Sequence, residues 1–467
     1  MRNVARIALV AASVIVYHNA LSASFFDDDF QWLVGSWSFQ PAQLVAFGSL
    51  THFYRPVVDL YFAVMTPLLG GSPLLFHAAS IALHAATVLV VFALAQEVFA
   101  PADRARADLT RADLARADLT RADFVGADLK VGPSIAIAFA AALFFAVQPS
   151  DIQAVAWVSA ISETIGTLFG CLSLVWFLRW RTRQTPHLRV LSIGTFALAL
   201  LTHESSVMFL PVLFLADWFV CGARRAEAAS GRTVWIPTLR TFAPYAGLTI
   251  AYLAIDIWIN SRNYVVSQGH YTLGLHIVTN ALDYIQALYV GRRDWINYGV
   301  IVVGTTALLA AGNARVRFAT CWMLLALAPF LSFNWGNTSR YLYQPAIGFS
   351  LLLAEAVLTI DTALRRRWAA AASRFNRTAP ISILIAVVAI RFGLFAASNV
   401  RDFTERSQVY TQYLARFRQI YGTLPVNATV TADPPTTLPY QFVNAAVQWD
   451  YRDPTIRVAP YGSADVH

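Results

Sequence analysis

The chain has 467 residues, 57% of them hydrophobic and only 13% charged, with a mean hydropathy of +0.51. Soluble domains carry about 25% charged residues, so the composition excludes a string of ordinary water-soluble domains and favours repeated membrane spans. The net charge of +8 sits in short basic clusters between apolar runs, which is the pattern of loops beside a membrane and not of a nucleic-acid surface.

The apolar runs predict about eleven transmembrane helices in an all-α polytopic membrane protein. Ala5 to Leu21 is the first, with Arg2 and Arg6 ahead of it. Ser22-Ala23-Ser24 would pass as a signal-peptide cleavage site, but an uncleaved first helix is expected because of the acidic segment that follows. A polar and aromatic loop covers Ser22 to Ser72. The next spans are Leu74 to Phe99, Ser134 to Val147 and Ala160 to Leu178, then a hairpin of Leu191 to Leu201 and Ser206 to Val220. Phe242 to Ile259, Ile296 to Ala311, Phe318 to Phe333, Tyr343 to Leu358 and Ile381 to Ala397 complete the set.

The segment Leu275 to Val290 carries His276, Asn280, Asp283 and Gln286, and reads either as a span or as an interfacial helix. The interfacial reading puts Arg179, Arg181, Arg183, Arg224, Arg225, Arg315, Arg317 and Arg365 to Arg367 on the inner side. Lys/Arg bias therefore selects an N-terminus inside and a C-terminus outside. Cys171, Cys221 and Cys321 lie in or beside apolar runs without metal-ligand spacing and read as inert thiols.

Two stretches stand apart from the spans. Residues 102–131 repeat every five residues as ADRAR, ADLTR, ADLAR, ADLTR, ADFVG and ADLKV. A period of five advances about 500° around an α-helix, so Leu109, Leu114, Leu119, Phe124 and Leu129 would not share a face. The pattern resembles the pentapeptide-repeat β-helix, here on the cytoplasmic side, as a solvated insertion or a docking surface for a cytoplasmic partner. Residues 398–467 read as a small extracytoplasmic segment, with a helix through Val409 to Tyr421 and β-like runs near Ala428 to Thr431 and Ile456 to Ala459. Pro434 and Pro435 argue against a long sheet. The expected regions are thus 1–101 (two spans and the large first outer loop), 102–131, 132–397 (the remaining spans) and 398–467.

The most informative stretch is Phe25-Phe26-Asp27-Asp28-Asp29-Phe30-Gln31-Trp32. Adjacent carboxylates at a membrane border repel one another and are costly to desolvate, so they call for a cation or a task as a base. Further along come Tyr54-Arg55-Pro56 and Gly70-Gly71, then His77 and His84 on one helix face. Gln148-Pro149-Ser150-Asp151-Ile152-Gln153 to Trp157, the hairpin tip His203-Glu204, and Arg340-Tyr341-Leu342-Tyr343 with Pro345 and Gly348 follow. In order and spacing these resemble the GT-C glycosyltransferases, in particular the branch with the protein O-mannosyltransferases and the tetratricopeptide-bearing transmembrane mannosyltransferases. The resemblance covers residues 5–397 apart from the repeat insert, and no tetratricopeptide array follows. Departures are Gln148 and Gln153 where relatives have His-Pro and Glu, His203 for a lysine, and Ile161 for a basic residue.

The resemblance implies a GT-C-like bundle that moves a sugar from a polyprenyl-phosphate donor to an acceptor hydroxyl on a glycan, lipid or protein. It places the reaction on the extracytoplasmic face of a bacterial inner membrane, with inversion. Such a transfer needs a carboxylate to take the acceptor proton and cations for the charge growing on the departing phosphate. Asp28 is the expected base, with Asp27 or Asp29 positioning it or the acceptor. Arg340 is the first choice for the phosphate, with Arg55, Arg292 and Arg293 as further candidates, because arginine suits bidentate phosphate contact. Asp151, Glu204, His203 and Tyr343 are expected to position substrate. His77 and His84 are expected to hydrogen-bond between helices, and Glu163, Asp256, Glu355 and Arg391 to pair internally. No protein-bound metal is assigned, although three carboxylates leave a divalent cation open. The competing readings are a transporter or flippase of a lipid-linked substrate, which would favour paired repeats with midplane sites, and a non-catalytic membrane assembly protein.

Overall fold

A computed structural model describes residues 2–45, 53–117, 133–222, 235–260, 269–334, 338–367, 379–432 and 438–460. Residues 118–131 of the repeat insert, Arg224, Arg225, Pro434 and Pro435 lie outside the described residues. The principal elements are α1 (Arg2–Tyr17), α2 (Asp29–Gly35), α3 (Pro56–Leu68), α4 (Pro73–Ala117), α5 (Pro133–Ala146), α6 (Ile161–Arg183), α7 (Pro186–Leu200), α8 (Trp235–Asn260), α9 (His276–Leu288), α10 (Trp295–Ala311), α11 (Ala314–Leu327), α12 (Tyr343–Arg367) and α13 (Ala379–Tyr421). A terminal unit of β1 (Thr429–Ala432), α14 (Tyr440–Tyr451) and β2 (Arg457–Pro460) follows. The chain is an integral membrane protein, with α4, α5, α6 and α12 packed at its centre and α1 against α4 and α5.

Every one of the eleven expected apolar runs contains helix, but they are not equally long. Among the described residues, six helices are long and apolar enough to cross a membrane: Arg2–Ser22, Pro73–Phe99, Val158–Arg183, Leu239–Ile259, Ser339–Leu364 and Ile381–Tyr421. A seventh is the pair Ile135–Ala146 and Pro149–Ala156, bent by 42°. Pro186–Leu200 and Trp295–Ala311 are apolar but shorter. The run Ser206 to Val220 breaks into Glu204–Met208, Phe209–Leu215 and Ala216–Val220, the first a 3-10 and the last a π-helix. The run Phe318 to Phe333 loses its regular helix at Leu327, two residues before Pro329, since proline cannot donate to the ladder. A hydrocarbon core of about 30 Å takes about 20 helical residues, so of the about eleven expected spans, among them a short hairpin pair, six or seven are full-length and the rest shorter or broken among the described residues. The 13 residues of α9 reach only about 20 Å.

The repeat insert departs from expectation in its described part. Helix α4 continues through residues 102–117 where a β-helix was expected. Alanine, leucine and arginine are strong helix formers, and an apolar span that is already helical needs no new nucleus to extend into them.

The C-terminal segment matches its expected elements and is joined to the membrane part more tightly than a boundary at 397 suggests. Helix α13 runs unbroken for 43 residues through that boundary. Strands β1 and β2 pair in parallel, Thr429 opposite Arg457 and Val430 opposite Val458, with α14 as the crossover. Trp449 of α14 stacks on Trp37 of the first loop at 5.2 Å and meets Phe25 edge-on at 6.2 Å. Gly71, with φ +69°, lies where any Cβ would collide with the Trp449 ring. This aromatic seam, with buried Phe30, Trp32, Phe62 and Phe76 beneath it, fixes the height of the acidic segment.

Candidate active site

The three aspartates separate because each has a different set of hydrogen-bond donors and a different burial. They lie at the start of α2, where a helix N-terminus favours negative charge. Asp29 is fully buried: its Oδ1 accepts from the Ser159 backbone N–H at 2.6 Å and its Oδ2 from that of Phe26 at 2.8 Å. Oδ1 thereby ties the acidic turn to the head of α6, and Oδ2 closes the turn on itself. Burial, with the neighbouring Asp28 charge added, pushes its carboxyl well above the usual range. Asp29 is thus a brace, not a group open to substrate.

Asp28 and Asp27 are half-buried. Asp28 Oδ1 accepts from the Ser159 hydroxyl at 2.6 Å. Burial raises its pKa, with the Arg340 guanidinium and the Ser159 bond opposing the rise. Asp27 takes a left-handed backbone, φ +46°, which aspartate tolerates better than most residues. Its Oδ1 accepts from the Tyr410 hydroxyl of α13 at 2.7 Å. Burial pushes its carboxyl up to about 6, against the pull of the Tyr410 bond.

Arg340 faces this pair from the turn that opens α12. Its guanidinium lies over the rings of Trp157 at 4.9 Å and Tyr341 at 5.2 Å, and donates to the Tyr341 hydroxyl at 3.3 Å. Its backbone N–H donates to Gln153 Oε1 at 3.2 Å. Trp157 in turn donates its indole N–H to the Phe26 carbonyl at 3.2 Å. Among the described residues no carboxylate oxygen lies within 4.0 Å of the Arg340 guanidinium. A cation resting on aromatic faces beside two half-buried acids is available to an incoming anion. Gln153 thereby supports the turn that carries Arg340.

The remaining candidates divide sharply. Arg55 is spent on Glu204 in a bidentate pair, Nη2 to Oε2 at 2.8 Å and Nε to Oε1 at 3.1 Å. Burial alone would raise the Glu204 pKa, but Arg55 holds it below the ordinary value. His203 beside it is pushed down to about 3 by burial and by Arg55. It is neutral, so its 3.3 Å approach to Glu163 Oε1 is not an ion pair. The Val57 N–H donates to the Leu201 carbonyl at 3.1 Å, which docks the Arg-Pro turn on the hairpin tip.

Asp151 and Tyr343 are fully buried. Tyr343 bonds to His84 between helices at 2.8 Å, and Asp151 accepts from the adjacent Ser150 hydroxyl at 3.3 Å; neither bonds to Asp27, Asp28 or Arg340. Arg292 and Arg293 are exposed, and Arg293 reaches Asp283 at 3.6 Å. His84 makes the expected interhelical bond, and Glu355 pairs with Arg315 at 2.8 Å. Among the described residues no three His, Cys, Asp or Glu side chains converge as a metal site; Asp28 and Asp29 turn to Ser159 and Asp27 to Tyr410.

Sequence reasoning missed Ser159 and Tyr410. Ser159 is close to a quoted motif but carries no signal of its own. Tyr410 is one of several tyrosines in a long helix, 383 residues from its partner.

Comparison with known proteins gives the fold. A family model of pentapeptide repeats matches residues 105–130. Human protein O-mannosyl-transferase TMTC1 is 22% identical over 247 residues, 48% of this chain and 24% of that protein. Among solved structures, the oligosaccharyltransferase AglB from Archaeoglobus fulgidus, held with an inhibitory peptide and a dolichol-phosphate, superposes with a TM-score of 0.50 at 14% identity. The match covers 96% of this chain and 63% of that one. ArnT from Cupriavidus metallidurans, bound to undecaprenyl phosphate, gives 0.52 at 13% identity over 98% and 86%. The chain therefore has the GT-C membrane fold. It spans about a quarter of the length of the curated relative it matches and under two thirds of the archaeal enzyme.

Proposed function

We propose that this chain is a membrane glycosyltransferase that moves a sugar from a polyprenyl-phosphate donor to an acceptor hydroxyl, with inversion, at the extracytoplasmic face of a bacterial inner membrane. The observation that carries the reading is the pairing of two half-buried carboxylates, Asp27 and Asp28, with Arg340, a cation resting on Trp157 and Tyr341. Asp28, the acid whose charge Arg340 supports most, takes the acceptor proton as the hydroxyl attacks the anomeric carbon. Arg340 holds the phosphate oxygens as the sugar–phosphate bond breaks and charge collects on the leaving lipid phosphate. Asp27 orients the acceptor. The acceptor hydroxyl belongs to a glycan, a lipid or a protein side chain. Likeness of fold to proteins solved with dolichol-phosphate and undecaprenyl phosphate supports a lipid-phosphate carrier as the donor's lipid part.

The test is transfer by the purified full chain in lipid nanodiscs, using radiolabelled polyprenyl-phosphate sugars, with and without EDTA. Glycosidic-bond formation that disappears in Asp28→Asn and Arg340→Ala supports the reading. Movement of the lipid-linked sugar across vesicles without any new bond would overturn it in favour of a flippase. Loss of transfer in EDTA, restored by a divalent ion, would add a cation to the site.

A further inference from the structure

The acidic turn is held in place by the later half of α13, beyond the stretch Ile381 to Ala397 expected to span the membrane. Residues 404–411 of α13 fasten it at several points. Ser407 Oγ accepts from the Ser24 N–H at 2.9 Å, and Thr411 Oγ1 meets Ser24 Oγ at 2.7 Å. Thr404 donates to the Asn19 carbonyl at 3.2 Å. Between these anchors Tyr410 is fully buried, wedged edge-on against Phe26 at 5.7 Å and tilted against Phe30 at 5.2 Å. Its ring cannot swing without displacing both phenylalanines. Its hydroxyl ends 2.7 Å from Asp27 Oδ1, at a residue with a left-handed backbone.

We propose that Tyr410 is a positioning residue for the site: from α13 its hydroxyl holds the Asp27 carboxylate charged and turned toward the acceptor, so the C-terminal segment is part of the reaction centre. The inference rests on the transferase reading above. The groups facing Asp27 are Asp28 and Asp29 from its own turn, Arg340 from the head of α12 and Tyr410 from α13. Arg340 and the tyrosine hydroxyl favour the carboxylate form; burial and Asp28 oppose it. A phenol that donates to a carboxylate stabilises its charged form, and removing the donor raises the pH at which that form appears.

The experiment measures kcat against pH for the full chain in nanodiscs, as wild type, Tyr410→Phe and Ser407→Ala. Phenylalanine keeps the wedge between Phe26 and Phe30 and removes only the donor. The acid limb of Tyr410→Phe is expected to move up by about one pH unit. With a neutral side chain at position 27 retaining about a tenth of the rate, that gives about a threefold loss at pH 6, narrowing as pH rises. Ser407→Ala, which removes a neighbouring anchor and leaves the Tyr410 hydroxyl in place, keeps the wild-type limb. A Tyr410→Phe profile that superimposes on wild type, or is lowered by one factor at every pH, overturns the inference, as does an equal shift in Ser407→Ala.

A wild type that forms no glycosidic bond refutes the transferase reading instead. Infrared titration then tests the Tyr410–Asp27 pair without any activity. The protonated-carboxyl band that vanishes in Asp27→Asn is expected to titrate at higher pH in Tyr410→Phe, and an unmoved band refutes the pair.

Discussion

The two ends of helix α6 treat charge in opposite ways. At its C-terminal end Arg179 is paired with Glu97 at 2.7 Å and Arg181 with Asp217 at 2.5 Å. Arg315 and Glu355, a further matched pair, meet at 2.8 Å through two nitrogens, with Asn313 also donating to Glu355. About 30 Å away, at 1.5 Å per residue, the N-terminal end meets Asp27, Asp28 and Arg340. There the carboxylates are hydrogen-bonded to hydroxyls and the guanidinium rests on aromatic rings. Both ends bury charge at a cost. Only the acid end leaves its charges without a matching countercharge in contact, and that state is hard to retain for structure alone. The difference supports the proposal of a structural task for the first region and a chemical one for the second, with Arg55–Glu204 as a matched pair beside the proposed site.

Substitutions at the two ends test that division. Asp28→Asn is expected to lower kcat by about a thousandfold, the range of a lost general base, while circular dichroism stays unchanged; residual transfer within tenfold of wild type would move the base elsewhere. Arg340→Ala is expected to cost about a hundredfold, with Arg340→Lys recovering part of it, since lysine keeps the charge but not the planar fork. Asp27→Asn should lower transfer by about tenfold, as an orienting group, while making the fold more resistant to heat at pH 7.5.

The sign of that last effect follows from the proton balance. The folded-state pKa of Asp27, about 6, lies above its ordinary value of 3.8. The folded form therefore binds the proton more tightly, and the stability this contributes is present below about pH 4 and lost as pH rises through about 6. The melting temperature of Asp27→Asn is expected to fall less over that window than wild type's, and an equal fall would contradict it.

At the matched end, Glu355→Gln is expected to leave kcat of the folded protein within about twofold and to lower stability by about 1–2 kcal/mol, discounted because Arg315 is partly exposed. Arg292→Ala and Arg293→Ala should change neither activity nor melting measurably. A large loss of transfer from either would place the phosphate site at the exposed loop and break the comparison.

Much of this architecture could be read from the sequence because the relevant forces are local. Apolar runs declare helices through their length, and basic clusters mark their ends. The two short β-like runs of the tail were legible, while the helix between them and their parallel pairing were not. The acids and Arg340 were visible because charged residues at a membrane border are costly and so informative. Span lengths were less legible. The breaks after Ser206 and beyond Leu327 depend on how neighbours and Pro329 end a helix, and the 42° bend before Pro149 leaves a single run divided.

The sequence by itself determined that this protein is a membrane bundle with acids bordering its first span and an arginine before a late one. Composition and periodicity are properties of neighbouring residues, and they suffice for that. Only the tertiary structure decided which aspartate is a brace and which two are open, that Arg55 is matched while Arg340 is not, and that Tyr410 reaches Asp27 across 383 residues of chain. Those outcomes depend on which hydrogen-bond donors and countercharges packing brings within about 3 Å of each carboxylate, and such partners come from distant elements that share no local pattern.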